Sequence, residues 1–572
     1  MKLKIILSCL LLFLVVFSWL LYQYEPAPSH DTTGSGMTHF YVESAPSSGA
    51  SFDLQTPPPY FISWLEIGGI HYVMLPNSAN VNQLVVHFQA GDPVFVESVE
   101  LTSGEATDLF ANRNGVPMTL TSGDHQYQVV VMEGSEIATL FIQTESGHLE
   151  NIHADQSHRE TAQILMMDDD GETILYNGEA DRFNGRGNTT WTRSKKPYNL
   201  RLTEATNLLG VDGADHRHWA LLADAFDGTR LRNTISHGLA EEVGMEAAIR
   251  VRPVDVYINN QYMGLYLLTE RAARIDTVLP ITDLESLTEQ VNERPLSEFE
   301  HTGNMAFEPG ARRYFDIPFD PPDITGGYLL EWQLEARYDH SPSGFVTERS
   351  QAVVLRAPYH ASQAQMDYIS TFIQEMEDAI YSPTGYNDLG RHFTEYIDIR
   401  SAAEMYLFQE FIMNIDAAAT SFFFYKESDL VGDGLLRAAP PWDFDLTLGI
   451  RFERDGVDLA DPEAFFVNQG RISWNPDYTP HILAALWQHE EFRELAMEIW
   501  REEFAPVVVG LIDPTVETNT LMTVREYEER IRDSIRMEWV RWEITSSHEG
   551  SVIRVIDFIR RRIDFLNEEW AN

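Results

Sequence analysis

The sequence has almost no cysteine, and the one it has, Cys9, lies in an apolar stretch close to the amino terminus. The rest of the 572-residue chain therefore forms no disulfide and offers no thiol nucleophile. Thiol-dependent catalysis and cysteine-ligated metal sites are excluded for the folded body.

Positive charge is also scarce, because 41 lysines and arginines face 88 aspartates and glutamates and give a formal net charge of -47. A surface of this sign repels nucleic acid and anionic lipid, so we expect no nucleic acid partner. The acidic residues are spread along the chain, which is typical of a solvated acidic surface. Several catalytic motifs are missing as well: there is no Walker loop, no G-x-S-x-G elbow and no histidine spacing that resembles a zinc site.

One long apolar run stands at the amino terminus. A short basic start precedes an almost uninterrupted apolar stretch over residues 5–21, which is the pattern of an export signal and approaches the length of a membrane span. No clear small-x-small cleavage site precedes Pro26, and Tyr22 and Tyr24 resemble an interfacial belt. We therefore predict a signal peptide or signal anchor over residues 1–24. The body is expected to be exported to a bacterial envelope, either membrane-anchored facing outside or secreted if the signal is cleaved.

Residues 25–51 are rich in Ser, Pro, Gly and Thr, which predicts a flexible linker. Residues 52–149 then show short alternating apolar runs, for example 84–88 and 138–142, punctuated by Asn, Gly, Asp and Ser. This pattern predicts a small β-sandwich of the immunoglobulin-like kind. It contains no group of residues typical of a catalytic or metal site, so we interpret it as a spacer or adhesion module.

From about residue 150 the pattern changes to strands mixed with helices, including a hairpin with Asn259 and Asn260 at its tip. Residues 276–322 are polar and irregular and are interpreted as an insertion. Residues 451–572 are mostly helical by period. The predicted fold class is α+β, with a mixed domain over residues 150–450 and an α-helical C-terminal part after it.

Two motifs of the mixed domain could contact phosphates. Gly185 and Gly187 lie in a loop before a strand, where glycines let a backbone approach a phosphate closely, although a G-x-G alone is more often a tight turn. Lys195 and Lys196 open the next strand, and either ammonium could reach a phosphate. In a chain this acidic, most lysines are expected to be surface counter-charges. Pro197 restricts the preceding residue to extended geometry, and we favour Lys196.

Two acidic clusters flank an aromatic strand later in the chain. Asp416 follows an apolar helical segment, where helix capping or a turn would explain it as well. Asp443 and Asp445 follow two prolines, and in a strand they would share a face. Such a pair suits Mg²⁺ or Mn²⁺, or the acid and base of a glycoside hydrolase. A purely structural role is less favourable, because neighbouring like charges cost energy unless a cation or donors compensate.

The order of these segments resembles the CotH kinase family, which is named for a spore coat protein. The resemblance covers about residues 150–449 and is carried by GRGNTTW, KKPYNLRL, DGTRLRN, NNQYMGLYLLTE, NID and PWDFDLTLG. It implies an atypical protein-kinase-like fold with two lobes. It also implies that the protein binds ATP with Mg or Mn and phosphorylates secreted or coat proteins on Ser or Thr.

The same resemblance implies roles for the acidic clusters. Asp416 becomes the catalytic-loop aspartate, which positions the acceptor hydroxyl, and Asp443 becomes the metal aspartate, accompanied by Asp445. The family usually has an asparagine five residues after the catalytic aspartate, and this chain has Ser421 there. A hydroxyl is a shorter and weaker metal ligand than an amide.

On the nucleotide side, the resemblance makes Lys195 or Lys196 the phosphate lysine and adds Gly185 and Gly187 as the phosphate loop. Glu270, at the end of a hairpin strand, becomes the hinge-side acid, with an exposed strand-end glutamate as the alternative. The leading hypothesis is an exported, membrane-tethered kinase that acts on an extracytoplasmic or coat protein. A pseudokinase that serves as an envelope or spore-coat scaffold and a glycoside hydrolase remain alternatives.

Overall fold

The computed structural model describes residues 37–43, 60–211, 213–271, 279, 281–304, 306–472 and 479–570. The predicted anchor, residues 1–24, lies outside these ranges, so its prediction stays open. Among the helices within these ranges, none is both long and apolar enough to cross a membrane. The described chain mixes helices and β-sheets throughout, which confirms the α+β class.

The first region consists of two sheets that share one hydrophobic core, with Val86 and Leu120 among its fully buried residues. The sheets have the orders β2-β1-β5-β8 and β3-β4-β10-β9-β6-β7. Their strands are β1 (Thr38–Glu43), β2 (Phe61–Ser63), β3 (Leu65–Ile67), β4 (Ile70–Leu75), β5 (Leu84–Gln89), β6 (Val94–Val96), β7 (Val99–Leu101), β8 (Ala106–Thr107), β9 (Pro117–Ser122) and β10 (His125–Glu133). Strand β1 lies inside the predicted flexible linker and corrects it, because Phe40 and Val42 are buried in the core.

The second region is a closed barrel of seven strands with the order β11-β12-β13-β14-β15-β17-β16. Its strands are β11 (Ala138–Thr144), β12 (Glu160–Met167), β13 (Ile174–Gly185), β14 (Tyr198–Asn207), β15 (Asp215–Leu222), β16 (Val251–Ile258) and β17 (Gln261–Glu270). Parallel pairing of β11 with β16 closes the barrel. Strand β11 was predicted to belong to the sandwich. Its short apolar run identified it as a strand but could not show which sheet it joins.

The barrel carries two helices, α1 (Glu150–Ala154) and α2 (Arg232–Glu242). The predicted hairpin is confirmed: Asn259 and Asn260 have φ values of 50° and 67° and connect β16 to β17. Asparagine tolerates this left-handed backbone better than most residues, which explains the Asn-Asn tip.

The third region contains an antiparallel sheet of seven strands with the order β18-β19-β21-β22-β20-β23-β24. Its strands are β18 (His301–Gly303), β19 (Arg312–Phe315), β20 (Tyr328–Gln333), β21 (Gly344–Val346), β22 (Ala352–Ala357), β23 (Phe422–Lys426) and β24 (Leu436–Arg437); a separate hairpin pairs β25 (Glu453–Arg454) with β26 (Val457–Asp458). The segment 276–322, interpreted as an irregular insertion, contains the first two strands of this sheet and a helix. Its polar composition hid them.

The predicted helical part, residues 451–572, is α-helical only after residue 480, since the described residues of 451–480 contain the β25–β26 hairpin and no α-helix. Helices cover the seven-stranded sheet and form most of the chain after residue 480. They are α3 (Leu284–Asn292), α4 (Gln363–Ile380), α5 (Ile399–Ile412), α6 (Ile482–Leu486), α7 (Glu490–Ile499), α8 (Ala505–Val508), α9 (Val524–Arg541) and α10 (His548–Trp570). Phe411, Trp500 and Trp570 lie in the largest core, which joins these helices to the sheet. Helix α9 returns to the barrel, where the Tyr262 hydroxyl donates a hydrogen bond to the Ser534 carbonyl over 3.3 Å.

The barrel and the third region meet in a small apolar cluster. Leu222 and Leu267 from the barrel pack with Leu329, Tyr425 and Trp442 from the other side. The cluster joins strands of the barrel to the third region, and the candidate site lies beside it.

Candidate active site

A loop over residues 413–421, called here the Asp416 loop, follows helix α5. Met413 has a φ of 47° and ends the helix in the left-handed conformation. The Asn414 side chain accepts a hydrogen bond from the Asp416 backbone N–H over 3.1 Å, which closes a tight turn. Arg454 donates to the carbonyl of Ile415 and, over 3.3 Å, to that of Ala417. The loop is therefore held on both sides of Asp416.

The segment that carries Asp443 and Asp445 is not a strand, which corrects the prediction that the two side chains share a strand face. Asp443 has a φ of 71°, so the backbone turns at this residue. The Ser421 hydroxyl donates a hydrogen bond of 2.9 Å to the Asp443 carboxylate. Between the two aspartates, the Phe444 ring packs against His237 with centroids 4.8 Å apart. Phe444 thus anchors the segment between the two aspartates.

The structure brings the three predicted aspartates into one electrostatic cluster. Burial, and then the neighbouring Asp443, raise the pKa of Asp416 to about 7, although Arg454 and Arg337 oppose this shift. Burial also raises the pKa of Asp445 well above its ordinary value, with Asp443 as the largest charged contributor. Asp443 thus acts electrostatically on both Asp416 and Asp445, and the Ser421 hydrogen bond joins the Asp416 loop to the segment that carries Asp443.

A fourth acid, Asp224, belongs to the same cluster and was missed from the sequence. It follows β15, is buried, and has a φ of 46°. Burial and the nearby Asp227 raise the pKa of Asp224 to about 6. Asn233 of α2 donates 2.6 Å to Asp224 and accepts 2.8 Å from the Phe444 backbone N–H, so it joins this acid to the Asp443 segment. An Asp before a buried turn carries no periodic signal that could have identified it.

Asp227 accepts hydrogen bonds from backbone N–H groups at the start of helix α2. Its carboxylate accepts hydrogen bonds from the backbone N–H groups of Thr229, Leu231 and Arg232 over 2.8–2.9 Å, and it also pairs with the Arg232 guanidinium. Burial alone would raise the pKa of Asp227, but Arg232 and these donors hold it below its ordinary value. This aspartate is therefore satisfied within the protein.

The two adjacent lysines point to different places. Lys195 is buried, and its ammonium lies 2.6 Å from the Glu538 carboxylate of α9 and donates to the Leu265 carbonyl. Lys196 instead donates to the local carbonyls of Trp191 and Arg193 over 2.8 and 3.1 Å. The ammonium of Lys195 therefore lies inside the protein, whereas that of Lys196 makes only local contacts. This geometry favours Lys195 and corrects the preference for Lys196.

The expectation that the lysines are surface counter-charges is wrong. After residue 4 the chain contains only Lys195, Lys196 and Lys426. Lys195 and Lys426 are buried, and Lys196 is partly buried. Among the described residues, the exposed Lys and Arg side chains are all arginines. The scarcity of lysine was itself a signal that each remaining lysine makes specific contacts inside the fold.

Gly185 and Gly187 both need to be glycine. A Cβ at Gly185 would collide with the Trp191 ring, and Gly187 has a φ of +85°, which favours glycine. Arg186, between them, was missed from the sequence: its guanidinium lies 5.6 Å from the centre of the Trp442 ring. Burial lowers the pKa of Arg186, while Asp443 and Asp445 oppose that shift, so its charge faces the acidic cluster.

Glu270 lies at the end of β17 in a separate ion-pair cluster. It is fully buried and accepts hydrogen bonds from the His216 ring over 2.9 Å and from the Arg250 backbone N–H over 2.9 Å. Burial would raise the pKa of Glu270, but His216 and Arg250 bring it below its ordinary value. The exposed strand-end alternative is wrong, and the predicted contact with nucleotide stays a prediction.

The donor set at Asp443 and Asp445 fits a divalent cation of the Mg²⁺ or Mn²⁺ type. Both residues offer carboxylate oxygens, and the raised pKa of Asp445 means that a positive charge would stabilise its ionised form. Within the described ranges, no group of three or more His, Cys, Asp or Glu side chains is arranged as a complete metal site. Mg²⁺ that is bound together with phosphates needs only one or two protein carboxylates.

Comparison with known proteins adds independent information. A search of curated proteins finds no match. The family described as CotH kinase protein matches residues 183–566, more than half of the chain, from the end of β13 into helix α10. The match includes the glycine loop, both lysines, all four clustered aspartates and helix α9. The chain therefore belongs to the CotH kinase family.

Proposed function

We propose that this protein is an exported protein kinase that transfers the γ-phosphoryl group of ATP to Ser or Thr of an extracytoplasmic or coat protein. The observation that carries the proposal is the Ser421–Asp443 hydrogen bond, which joins the Asp416 loop to the segment of Asp443 and Asp445. The electrostatic influence of Asp443 on Asp416, Asp445 and Arg186 supports it. Kinases need this combination, because an acid must orient the acceptor while positive groups balance the triphosphate.

Asp416 is proposed to accept the proton of the acceptor hydroxyl. The hydroxyl oxygen then bonds to the γ-phosphorus, and the bond from that phosphorus to the bridging oxygen breaks. ADP leaves with the bonding electrons, and the proton passes from Asp416 to solvent. Arg454 supports this role, because it fixes the backbone on both sides of Asp416.

Asp443 and Asp445 would hold a divalent cation, which would balance charge on the phosphates when bound. Ser421 already orients the Asp443 carboxylate through its 2.9 Å hydrogen bond. Arg186, which lies in the glycine loop, is proposed to contact phosphate oxygens, and Lys195 is proposed to contribute a second positive charge.

The direct experiment measures transfer of radiolabelled phosphate from ATP in the presence of Mn²⁺. Wild type is expected to label itself or an added envelope protein extract, and Asp416→Ala is expected to abolish the labelling while the protein stays folded. Asp433→Ala is the matched control, because Asp433 pairs with Arg437 on the surface. Labelling that survives in Asp416→Ala would contradict the proposed role.

A pseudokinase is the second candidate, and Ser421 favours it. This hydroxyl occupies the place of the family's asparagine and is already committed to Asp443. ATP with Mn²⁺ that stabilises the protein against heat without any transfer would support the pseudokinase. No observation favours the glycoside hydrolase alternative.

A further inference from the structure

The acidic partner of Lys195 comes from an unexpected part of the chain. In protein kinases, a glutamate on the helix after the lysine strand pairs with that lysine. Here the corresponding helix, α2, directs Asn233 to the Asp443 segment, and its acids, Glu241 and Glu242, stand at its last turn. The carboxylate that meets Lys195 belongs to Glu538 of α9, 343 residues later in the sequence.

We propose that Glu538 is the positioning residue of the phosphate lysine, so that helix α9 completes the triphosphate site. This inference rests on the proposed function and extends it to a helix outside the motifs that resemble the family. It makes nucleotide binding depend on the docking of the C-terminal region against the barrel.

The contacts of Glu538 explain how it can position Lys195. One carboxylate oxygen accepts from the Lys195 ammonium over 2.6 Å and from the Leu265 backbone N–H over 2.8 Å. The other accepts from the Arg230 guanidinium over 2.6 Å. Glu538 itself has no solvent exposure, so these interactions act without screening by water. A single carboxylate thus ties together the starts of β14 and α2, the middle of β17 and helix α9.

Gly264 of β17 provides the space for this approach. It has a φ of +120°, and a Cβ there would lie 3.0 Å from the Glu538 carboxylate and 3.2 Å from the Lys195 side chain. A glycine inside a strand commonly marks a place where another group approaches the backbone closely. The Gly in the hairpin motif is therefore explained by α9.

Helix α9 is also fixed along its length. Ser135 accepts hydrogen bonds from the backbone N–H groups of Asp533 and Ser534 over 3.0 and 3.1 Å. The Ser534 hydroxyl donates 2.6 Å to Asp255 of β16, and the Trp542 indole donates 3.0 Å to the Met263 carbonyl. Glu538 lies between these attachments, so its carboxylate has a defined position.

The charges around Lys195 make the inference testable, because Glu538 and Arg230 shift the pKa of Lys195 in opposite directions. Burial lowers the pKa of Lys195 to about 8; Glu538 raises it, Arg230 lowers it, and Asp224 raises it slightly. A phosphate-binding lysine must be protonated, so ATP affinity should fall as pH rises through this value. Removing the negative charge of Glu538 moves that fall to lower pH, and removing the positive charge of Arg230 moves it to higher pH.

The experiment measures Mn²⁺–ATP binding by calorimetry from about pH 6 to about pH 10. Glu538→Gln is expected to weaken binding at neutral pH at least roughly tenfold and to shift the alkaline fall downward. Arg230→Gln is expected to shift it upward, and Glu538→Asp, which keeps the charge, to recover part of the affinity. Glu528→Gln is the control on the same helix, because Glu528 pairs with Arg532 and Arg525.

A purely structural role for Glu538 would leave the alkaline fall in place in both charge variants, and that result would overturn the inference. If Glu538→Gln does not fold, Glu538→Asp tests the position of the carboxylate, and an unchanged alkaline fall in Arg230→Gln would overturn the inference. If wild type binds no Mn²⁺–ATP, the proposed function falls together with the inference. If wild type and Glu538→Gln bind equally, only the inference falls.

Discussion

The scaffold carboxylates, which pair with cations inside the protein, and the cleft carboxylates, which belong to the candidate site, have pKa values shifted in opposite directions. Asp227 and Glu538 are completely buried, yet cations and donors of the protein hold the pKa of each below its ordinary value. Asp416, Asp445 and Asp224 have a pKa above the ordinary value, because burial and other carboxylates act in the same direction. Asp224 is buried like the scaffold acids, and Asp416 and Asp445 are partly buried, so the two groups differ mainly in the charges beside them.

We propose that this difference separates structural acids from functional ones. A scaffold acid completes its interactions inside the protein, so its loss should cost stability. A cleft acid is repelled by its neighbours, so its loss should cost activity and leave stability unchanged or improved. Asp416 and Asp445 lie in the motifs NID and PWDFDLTLG, whereas Asp224 lies outside the motifs that resemble the family.

The largest expected effect concerns Asp443. Asp443→Ala should reduce phosphoryl transfer by roughly 10³-fold or more, because it removes the charge that would hold a cation on the phosphates. The melting temperature should stay the same or rise. Calorimetric unfolding and labelling by radioactive ATP measure both quantities on one preparation. A clear fall in the melting temperature of Asp443→Ala would contradict the distinction between the two groups of acids.

Asp227 provides the opposite case. Asp227→Ala leaves the buried Arg232 without its carboxylate partner and removes the hydrogen bonds that Asp227 accepts at the start of α2, so we expect the free energy of unfolding to fall by about 3–5 kcal/mol. Chemical denaturation measures this change. An unchanged midpoint would show that the Asp227 cluster does not stabilise the fold.

Arg186 extends the comparison to the positive side of the cleft. Arg186→Gln should raise the KM for ATP about tenfold, which corresponds to the loss of one charged hydrogen bond to phosphate. The melting temperature should change little, because the guanidinium mainly contacts the Trp442 ring. Steady-state kinetics across ATP concentrations separate this KM effect from a change in kcat. An effect on kcat alone would place Arg186 elsewhere in the reaction.

Asp224 makes the comparison depend on pH. Its folded pKa of about 6 exceeds the ordinary value of 3.8, so the folded state binds the proton more tightly, and stability is lost as pH rises through this window. Between pH 5 and pH 8 this loss amounts to about 1 kcal/mol. Asp224→Asn, which cannot ionise, should therefore gain stability over wild type as pH increases. Parallel stability curves for the two proteins would contradict the raised pKa.

The smallest expected effect concerns Ser421. Its φ of 52° is a left-handed conformation that asparagine adopts readily, so Ser421→Asn should fold without strain. If the hydroxyl limits cation binding, this variant should reach half-maximal activity at a several-fold lower Mn²⁺ concentration. Metal titration of the initial rate measures the shift. A higher metal requirement would mean that the serine is the better residue in this site.

Local patterns predicted those parts of the fold that local interactions determine. The amphipathic helices α9 and α10 and the Asn259–Asn260 hairpin have periods or turn residues that identify them directly. The closure of the barrel by β11 was not predictable in this way, because its partner β16 lies more than 100 residues away. Strand pairing at that separation leaves no trace in periodicity.

The candidate site divides along the same line. Asp416 and Asp443 could be predicted, because they flank an aromatic strand and lie in motifs that resemble a family. The choice between Lys195 and Lys196 could not, since it depends on Glu538 from the far end of the chain. Asp224 was hidden for a related reason: only the folded arrangement shows which acids repel each other.

The most direct test of the account titrates Mn²⁺–ATP into wild type, Asp443→Ala and the surface control Asp433→Ala. The account predicts saturable binding with one ATP per chain in wild type and in the control, and no measurable binding in Asp443→Ala. Equal binding by Asp443→Ala, or no binding by the wild-type protein, would contradict the claim that the crowded carboxylates form a cation and triphosphate site.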